Sequence, residues 1–217
     1  MFNKILVANR GEIALRVIRA CREMGIASVA VYSECDRNSL HVQFADEAVC
    51  IGPAEATKSY LHIPNVLTAA DITGADAVHP GYGFLAENDD FARKVQAHGM
   101  TFIGPAPETL VQFGDKLSAK AAARAAGLPL VPGSPGEVED EDQAAEVAQG
   151  IGYPVMLKAA AGGGGKGMRV ARDEEELRRL FAITSTEAVA AFGNGSLFLE
   201  RFLERPRHIE IQVAGDG

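Results

Sequence analysis

No run of eighteen apolar residues occurs in this 217-residue chain, so nothing in it predicts a membrane span. Cysteine is scarce: Cys21, Cys35 and Cys50 are an odd set of three without paired spacing. That argues against a disulfide framework or a zinc site and fits a reducing compartment. The opening "MFNKILVANRGEIA" has an apolar part too short for a signal peptide, and a buried strand explains it. A cytoplasmic protein is therefore expected. Basic runs are also missing. Lys and Arg total 21 against 29 Asp and Glu, for a formal charge of −8. An acidic chain of this kind makes a poor nucleic-acid binder. What is present is ordinary globular composition, 47% hydrophobic and 23% charged, enough for one large domain or two small ones.

The first half alternates. "ILVAN" (5–9), "ASVAVYS" (27–33), "EAVCIG" (47–52), "ADAVHP" (75–80) and "MTFIGP" (100–105) read as short apolar strands. Between them, Ala14, Val17, Ile18 and Cys21 recur at helical spacing, with Glu12–Arg16 and Arg19–Glu23 as i,i+4 pairs and Gly25 as the stop. Residues 63–74 and 87–99 read as further helices. Strands alternating with helices predict a doubly wound α/β domain with a parallel sheet over residues 1–103.

The pattern then changes. "DKLSAKAAARAAG" (115–127) reads as an alanine-rich helix, 130–143 as a linker, and "DEDQAAEVAQGIG" as a helix. "YPVMLKAA" and "MRVA" read as strands around a glycine loop, 172–193 as one or two helices, and "SLFLERFL" (196–203) as a strand. "HIEIQV" (208–213) alternates cleanly, which predicts a half-buried antiparallel strand. The following "AGDG" carries an Asp-Gly turn signal with no return strand, so the sequence is expected to stop mid-fold.

The loop "AAAGGGGKGM" holds five glycines in six positions, Gly162 to Gly165 and Gly167. A linker of this type sits between domains and carries serine; this run sits between two short strands. The Walker pattern fails, with Ala160 at its first glycine and Gly167 in the Ser/Thr position after Lys166. Gly162, Gly164 and Gly167 satisfy G-x-G-x-x-G, but the dinucleotide fingerprint must open a helix, and here a strand follows. The first strand–helix turn, "ANRGEIA", has one glycine, and Glu34 after the second strand lacks the glycines that would make it a ribose ligand. Kinase signatures are absent. What remains is a glycine-rich hairpin loop whose amides can approach phosphate oxygens closely. Lys158 enters it on the face opposite Val155 and Leu157, where it is either a solvent-facing strand lysine or an ammonium aimed at a covered phosphate. Glu200, Arg201, Phe202 and Leu203 end an apolar strand, and are either the lip of an adenine slot or a surface turn.

Together "MFNKILVANRGEIALRVIRACREMGI", "ADAVHPGYGFLAEN", "FIGPAPETLVQFGDKLSAK", "YPVMLKAAAGGGGKGMRV" and "FLERPRHIEIQV" resemble, in order and across the whole chain, the N-terminal half of biotin carboxylase. This is the ATP-grasp component of acetyl-CoA, propionyl-CoA and pyruvate carboxylases. The resemblance implies a Rossmann-like N-terminal domain (1–103), connecting helices (104–130), an α+β ATP-grasp B lid (131–203) and the start of a C-terminal ATP-grasp domain (204–217), whose remainder is absent. It implies ATP, Mg2+ and bicarbonate as reactants or cofactors, with biotin on a carboxyl carrier protein as acceptor. A carboxyltransferase partner, a homodimer and a place in fatty acid biosynthesis follow for an acetyl-CoA carboxylase member. By the same resemblance Lys116 and Lys158 serve the ATP phosphates, Gly164 and Gly165 the covering loop, Glu200, Arg201, Phe202 and Leu203 the adenine edge, and His208 the ribose. Tyr82, Gly83 and Glu87 fall near biotin. The family's metal ligands and its general base have no counterpart in these residues. The chain by itself is therefore expected to bind ATP weakly, with a mobile glycine loop and no complete catalytic set.

Overall fold

The computed structural model describes all residues except 115, 161–167, 212, 214, 216 and 217, and describes 116, 117 and 192 by backbone alone. The chain divides into two compact units, Met1–Ala122 and Ala123–Gly217. The first contains β1 (Lys4–Val7), α1 (Gly11–Glu23), β2 (Ala27–Ser33), α2 (Leu40–Phe44), β3 (Glu47–Gly52), α3 (Ile63–Thr73), β4 (Ala77–His79), α4 (Asp89–Ala97), β5 (Thr101–Phe102) and α5 (Pro107–Gly114). Its strands pair in parallel in the order β3-β2-β1-β4-β5.

Burial explains the apolar runs. Side chains of β1 alternate between two covered faces, so neither face calls for polar residues. Ile5 and Val7 pack with Ala14, Val17, Ile18 and Cys21 of α1, the stripe that the helical spacing predicts. Leu6 joins Val29, Val31 and Val78 on the other face, under Val66 and Leu67 of α3 and Phe91 and Val95 of α4. The doubly wound expectation is met. The chain leaves β1 toward β2 and β3, then returns to the other side of β1 as β4. The strand order therefore reverses at the carboxyl ends of β1 and β4, where open α/β sheets place their crevice.

Two histidines of this unit are held neutral. His41 on α2 is 1% exposed with Nε2 3.3 Å from the Val31 carbonyl, and burial lowers its pKa. Burial also lowers that of His79, whose Nδ1 accepts the Gly81 N–H at 3.0 Å. In the unfolded chain both take a proton near pH 6.5. Stability is thus fully present above that value and falls as the pH drops through it toward the folded pKa values. Thermal melts from pH 8 to pH 5 are expected to show a falling Tm, reduced in slope by His41→Gln; a flat profile contradicts this.

α6 (Lys116–Ala125) begins in the first unit and ends in the second, which contains α7 (Glu141–Ile151), β6 (Val155–Ala159), β7 (Met168–Ala171), α8 (Glu174–Phe192) and β8 (Leu197–Arg201). Asp140 caps α7 by accepting the Gln143 N–H, and Asp173 caps α8 by accepting that of Glu176, both at 2.8 Å. The sheet is antiparallel in the order β7-β6-β8. Val155, Leu157 and Ala159 turn with Leu197 and Leu199 onto Ala144, Ala145 and Ala148 of α7 and Leu177 and Phe181 of α8. The strands around the glycine run therefore form a hairpin, as expected. The run itself, and with it the expected loop mobility, lies outside the described residues.

Two expectations are corrected. Residues 130–143 are more than a linker: Gly133 and Val138 bridge to Glu200 and Leu197, and Val138 is 1% exposed. Residues 208–213 form no strand among the described residues, and Ile209, Ile211 and Val213 stand 73%, 81% and 90% exposed. A strand needs a hydrogen-bonded neighbour, and no described strand lies beside this one. Its alternation survives locally, since His208 Nε2 and Glu210 Oε1 meet at 2.7 Å.

Candidate functional site

One face of the second unit's sheet packs on α7 and α8; the opposite face is mixed, with Met156 and Phe198 beside Lys158 and Glu200. Leu157 and Leu199 point into the core; Lys158 and Glu200, one position on in each strand, point the other way. Lys158 registers with Phe198 and Met156 with Glu200, so Lys158 and Glu200 are diagonal neighbours. Their ammonium and carboxylate form an ion pair, with the side chains 24% and 15% exposed. Lys158 stands one residue before the end of β6 that leads into the glycine run, and Glu200 lies further back, level with Met156.

The backbone of β8 is fixed on its outer edge. Ser134 donates its N–H to the Leu199 carbonyl at 2.9 Å, and its Oγ accepts the Leu199 N–H at 3.1 Å. On that edge Arg201 N–H donates to Pro132 O at 2.8 Å; on the β6 side Phe202 N–H donates to Pro154 O at 2.9 Å. Gly133 permits this approach, because a Cβ there would lie 2.7 Å from the Leu199 oxygen. The Arg201 side chain alternates to the face opposite Glu200, in register with Val155. It donates to the Ile151 carbonyl at 3.0 Å, where a cation complements the carboxyl end of α7. Phe202 is partly buried and Leu203 is 49% exposed. The His208 ring is 83% exposed on its pair with Glu210. Lys116 begins α6, with its side chain outside the described residues, as are Gly164 and Gly165.

Tyr82 and Gly83 form a constellation of their own at the crevice of the first unit. A cleft of about 400 Å³ opens there between residues 9–13, after β1, and residues 82–84, after β4. Asn9, 2% exposed, donates to the carbonyls of Pro80 at 2.8 Å and Tyr82 at 2.9 Å. Gly81 sits at φ +65°, and a Cβ there would lie 2.8 Å from the Asn9 amide nitrogen. The Tyr82 hydroxyl donates to Glu12, whose carboxylate pushes the phenol pKa up. Glu87 is exposed and does not line the cleft.

Sequence reasoning missed what supports this loop. Asp36, 5% exposed, accepts from Arg10 Nε and Nη2, each at 2.6 Å, and from the Tyr60 hydroxyl at 2.6 Å. The Arg10 guanidinium holds the Asp36 carboxyl well below the usual range. Burial, then the hydrogen bond to Asp36, pushes the Tyr60 phenol up to about 12. Tyr60 stacks on Phe84 at 5.1 Å, and Phe84 takes φ +43°. The available signal is an acidic residue after β2: the sequence singles out Glu34, which is exposed, only to set it aside, and does not point to Asp36 two residues on.

The model for the biotin carboxylase N-terminal domain matches residues 1–110. The chain belongs to the biotin carboxylase family. The model for the ATP binding domain of the carbamoyl-phosphate synthase L chain matches residues 115–217. Biotin carboxylase of Pseudomonas aeruginosa is 58% identical over 218 residues, covering 100% of this chain and 49% of the relative. The mitochondrial propionyl-CoA carboxylase alpha chain of Mus musculus is 54% identical, covering 99% of this chain and 30% of its own length. A biotin carboxylase–beta-gamma-ATP complex from Campylobacter jejuni superposes with TM-score 0.85 at 46% identity, over 95% of this chain and 46% of that one. The biotin carboxylase domain dimer of Hydrogenobacter thermophilus 2-oxoglutarate carboxylase, in complex with MgADP, ADP and bicarbonate, gives 0.81 at 51% identity, over 94% and 45%. The chain spans about half the length of the curated biotin carboxylases it matches.

The Hydrogenobacter thermophilus domain is the neighbour that holds MgADP. Among the described residues no group of three His, Cys, Asp or Glu is placed to hold a metal ion. No described helix is long and apolar enough to cross a membrane.

Proposed function

We propose that these residues are the nucleotide-binding half of a biotin carboxylase. A bicarbonate oxygen attacks the γ-phosphorus of ATP, the bond to the β-phosphate oxygen breaks, and ADP leaves carboxyphosphate. The carboxyl group then passes to N1 of biotin on a carrier protein in place of the N1 proton, and phosphate and that proton depart. The observation that carries this reading is the Lys158–Glu200 pair on the face of β6 and β8 opposite the helices, with Lys158 one residue before the end of the strand that enters the glycine run. Phosphoryl transfer is mostly positioning and charge neutralisation. Lys158 and Lys116 supply cations for the phosphates, and the amides of Gly164 and Gly165 cover them. Glu200 to Leu203 offer backbone groups to the adenine edge, and His208 the ribose contact. Tyr82, Gly83 and Glu87 face the biotin side. The corresponding domains are 1–103, 104–130, the lid 131–203 and the opening of a C-terminal sheet at 204–217. The lid excludes water from carboxyphosphate. A carboxyltransferase partner, a homodimer and a cytoplasmic location complete the proposal.

The match of residues 115–217 to the carbamoyl-phosphate synthase domain favours a second reading, with ammonia as the acceptor. Acceptor choice separates them. A full-length chain carrying this sequence is expected to cleave ATP when given bicarbonate and biotin, and not ammonia. Cleavage stimulated by ammonia alone overturns the first reading.

A further inference from the structure

Tyr82 and Gly83 line the first unit's cleft from a loop whose backbone is unusual. Gly81, Gly83 and Phe84 have φ of +65°, +71° and +43°. Glycine adopts such angles freely, but Phe84 is the sole non-glycine residue to do so among the described residues. A bulky residue keeps a left-handed backbone only where its surroundings over-determine it. Asn9 holds the start of the loop by donating to the carbonyls of Pro80 and Tyr82. Leu85, 3% exposed, anchors the exit in the core. Neither holds the Phe84 side chain. The stack on Tyr60 does, with ring centroids 5.1 Å apart and planes inclined by 23°. Tyr60 is itself buried and fixed. Its hydroxyl donates to Asp36 at 2.6 Å and accepts the Ser33 N–H at 2.9 Å, and the Arg10 guanidinium carbon lies 6.0 Å from its ring centroid. Asp36 is held in turn by Arg10 Nε and Nη2. The Tyr60 ring is thus a firm surface, tied to the end of β2 and the turn after it, against which the loop after β4 rests.

We propose that Tyr60 is a positioning residue for the biotin acceptor: by clamping Phe84 it holds residues 81–84 in their strained form and so sets where Tyr82 and Gly83 meet biotin. Tyr60 does not line the cleft and acts through Phe84. No covalent bond changes. The inference rests on the reading of Tyr82 and Gly83 as facing biotin. It gives the anchored hydroxyl of a core tyrosine a task beyond filling space, since a freely turning ring would hold Phe84 less firmly.

The consequence is a loss confined to the acceptor. In a full-length chain carrying this sequence, Tyr60→Leu is expected to raise KM for free biotin about tenfold, with KM for ATP within about twofold of the parent. Instability alone lowers the amount of active enzyme, and with it kcat, and moves neither KM. An unchanged KM for biotin, or equal rises for biotin and ATP, overturns the proposal. A double variant tests the route. In a Phe84→Leu background, Tyr60→Leu is expected to add less than about twofold, because its effect passes through Phe84, and a larger further rise overturns the proposal. Should Tyr60→Leu fail to fold, Tyr60→Phe carries the test. It keeps the ring and frees it from Asp36 and Ser33, so KM for biotin is expected to rise about threefold with ATP unmoved; no rise overturns the proposal. Tyr82→Ala keeps the two ideas apart. If that variant retains the parent's KM for biotin, the biotin-side reading of the loop fails, whatever Tyr60 does. If Tyr82→Ala raises it and Tyr60→Leu does not, the reading stands and the proposal for Tyr60 falls alone.

Discussion

Lys158→Gln is expected to lower ATP turnover of a full-length chain about 100- to 1,000-fold, the usual loss when one preorganised donor to a developing anion is removed. The substitution keeps the length of the side chain near that of lysine and removes its charge. It also removes the ammonium that the Glu200 carboxylate now faces. The loss is expected mainly in kcat, because charge on the transferring phosphoryl group and leaving oxygen is greatest in the transition state. Steady-state ADP formation at saturating ATP measures it. Turnover within threefold of the parent removes Lys158 from the site.

Asp36→Ala is the largest expected stability effect. It strips the hydrogen-bonding partner from Arg10 and from the buried Tyr60 hydroxyl at once. Breaking a fully buried pair costs about 3–5 kcal/mol, but the Arg10 side chain is 46% exposed and regains water, so about 2–3 kcal/mol is expected. For a unit of this size that is a fall in Tm of about 10 °C. The sign of the pH effect follows from the depressed pKa. Asp36 stabilises the fold above the unfolded carboxylate value near 4, and that contribution is lost as the pH falls through the lower folded value. The alanine variant is therefore expected to converge on the parent in acid. A Tm difference below 3 °C at pH 7 contradicts the assignment.

The two constellations differ in how much of each the amino-acid order revealed. β1 and β2 announced themselves as unbroken apolar runs because both their faces are covered, and α1 because its four inward residues repeat at helical spacing. Lys158 was legible for a similar reason: period-two alternation put it opposite Leu157, on a strand entering the glycines. The partnership with Glu200 was not, since strand pairing joins residues 42 positions apart and no local pattern encodes that register. The Arg10–Asp36–Tyr60 support was hidden by the same distance, and by a short α2 of five residues that carries too little periodicity to mark where the chain turns. The opposite error fell on residues 208–213. Alternation there is a statement about what the segment can do beside a neighbour, and no described strand provides one.

The central claim is that this nucleotide site belongs to an enzyme that activates bicarbonate for transfer to biotin. The most direct measurement supplies a full-length chain carrying this sequence with ATP, free biotin and carbon-13 bicarbonate, and follows the label by mass spectrometry after trapping. Labelled carboxybiotin formed with one ADP per label is the expected result. ADP release without label on biotin, or label appearing only when ammonia is supplied, contradicts it.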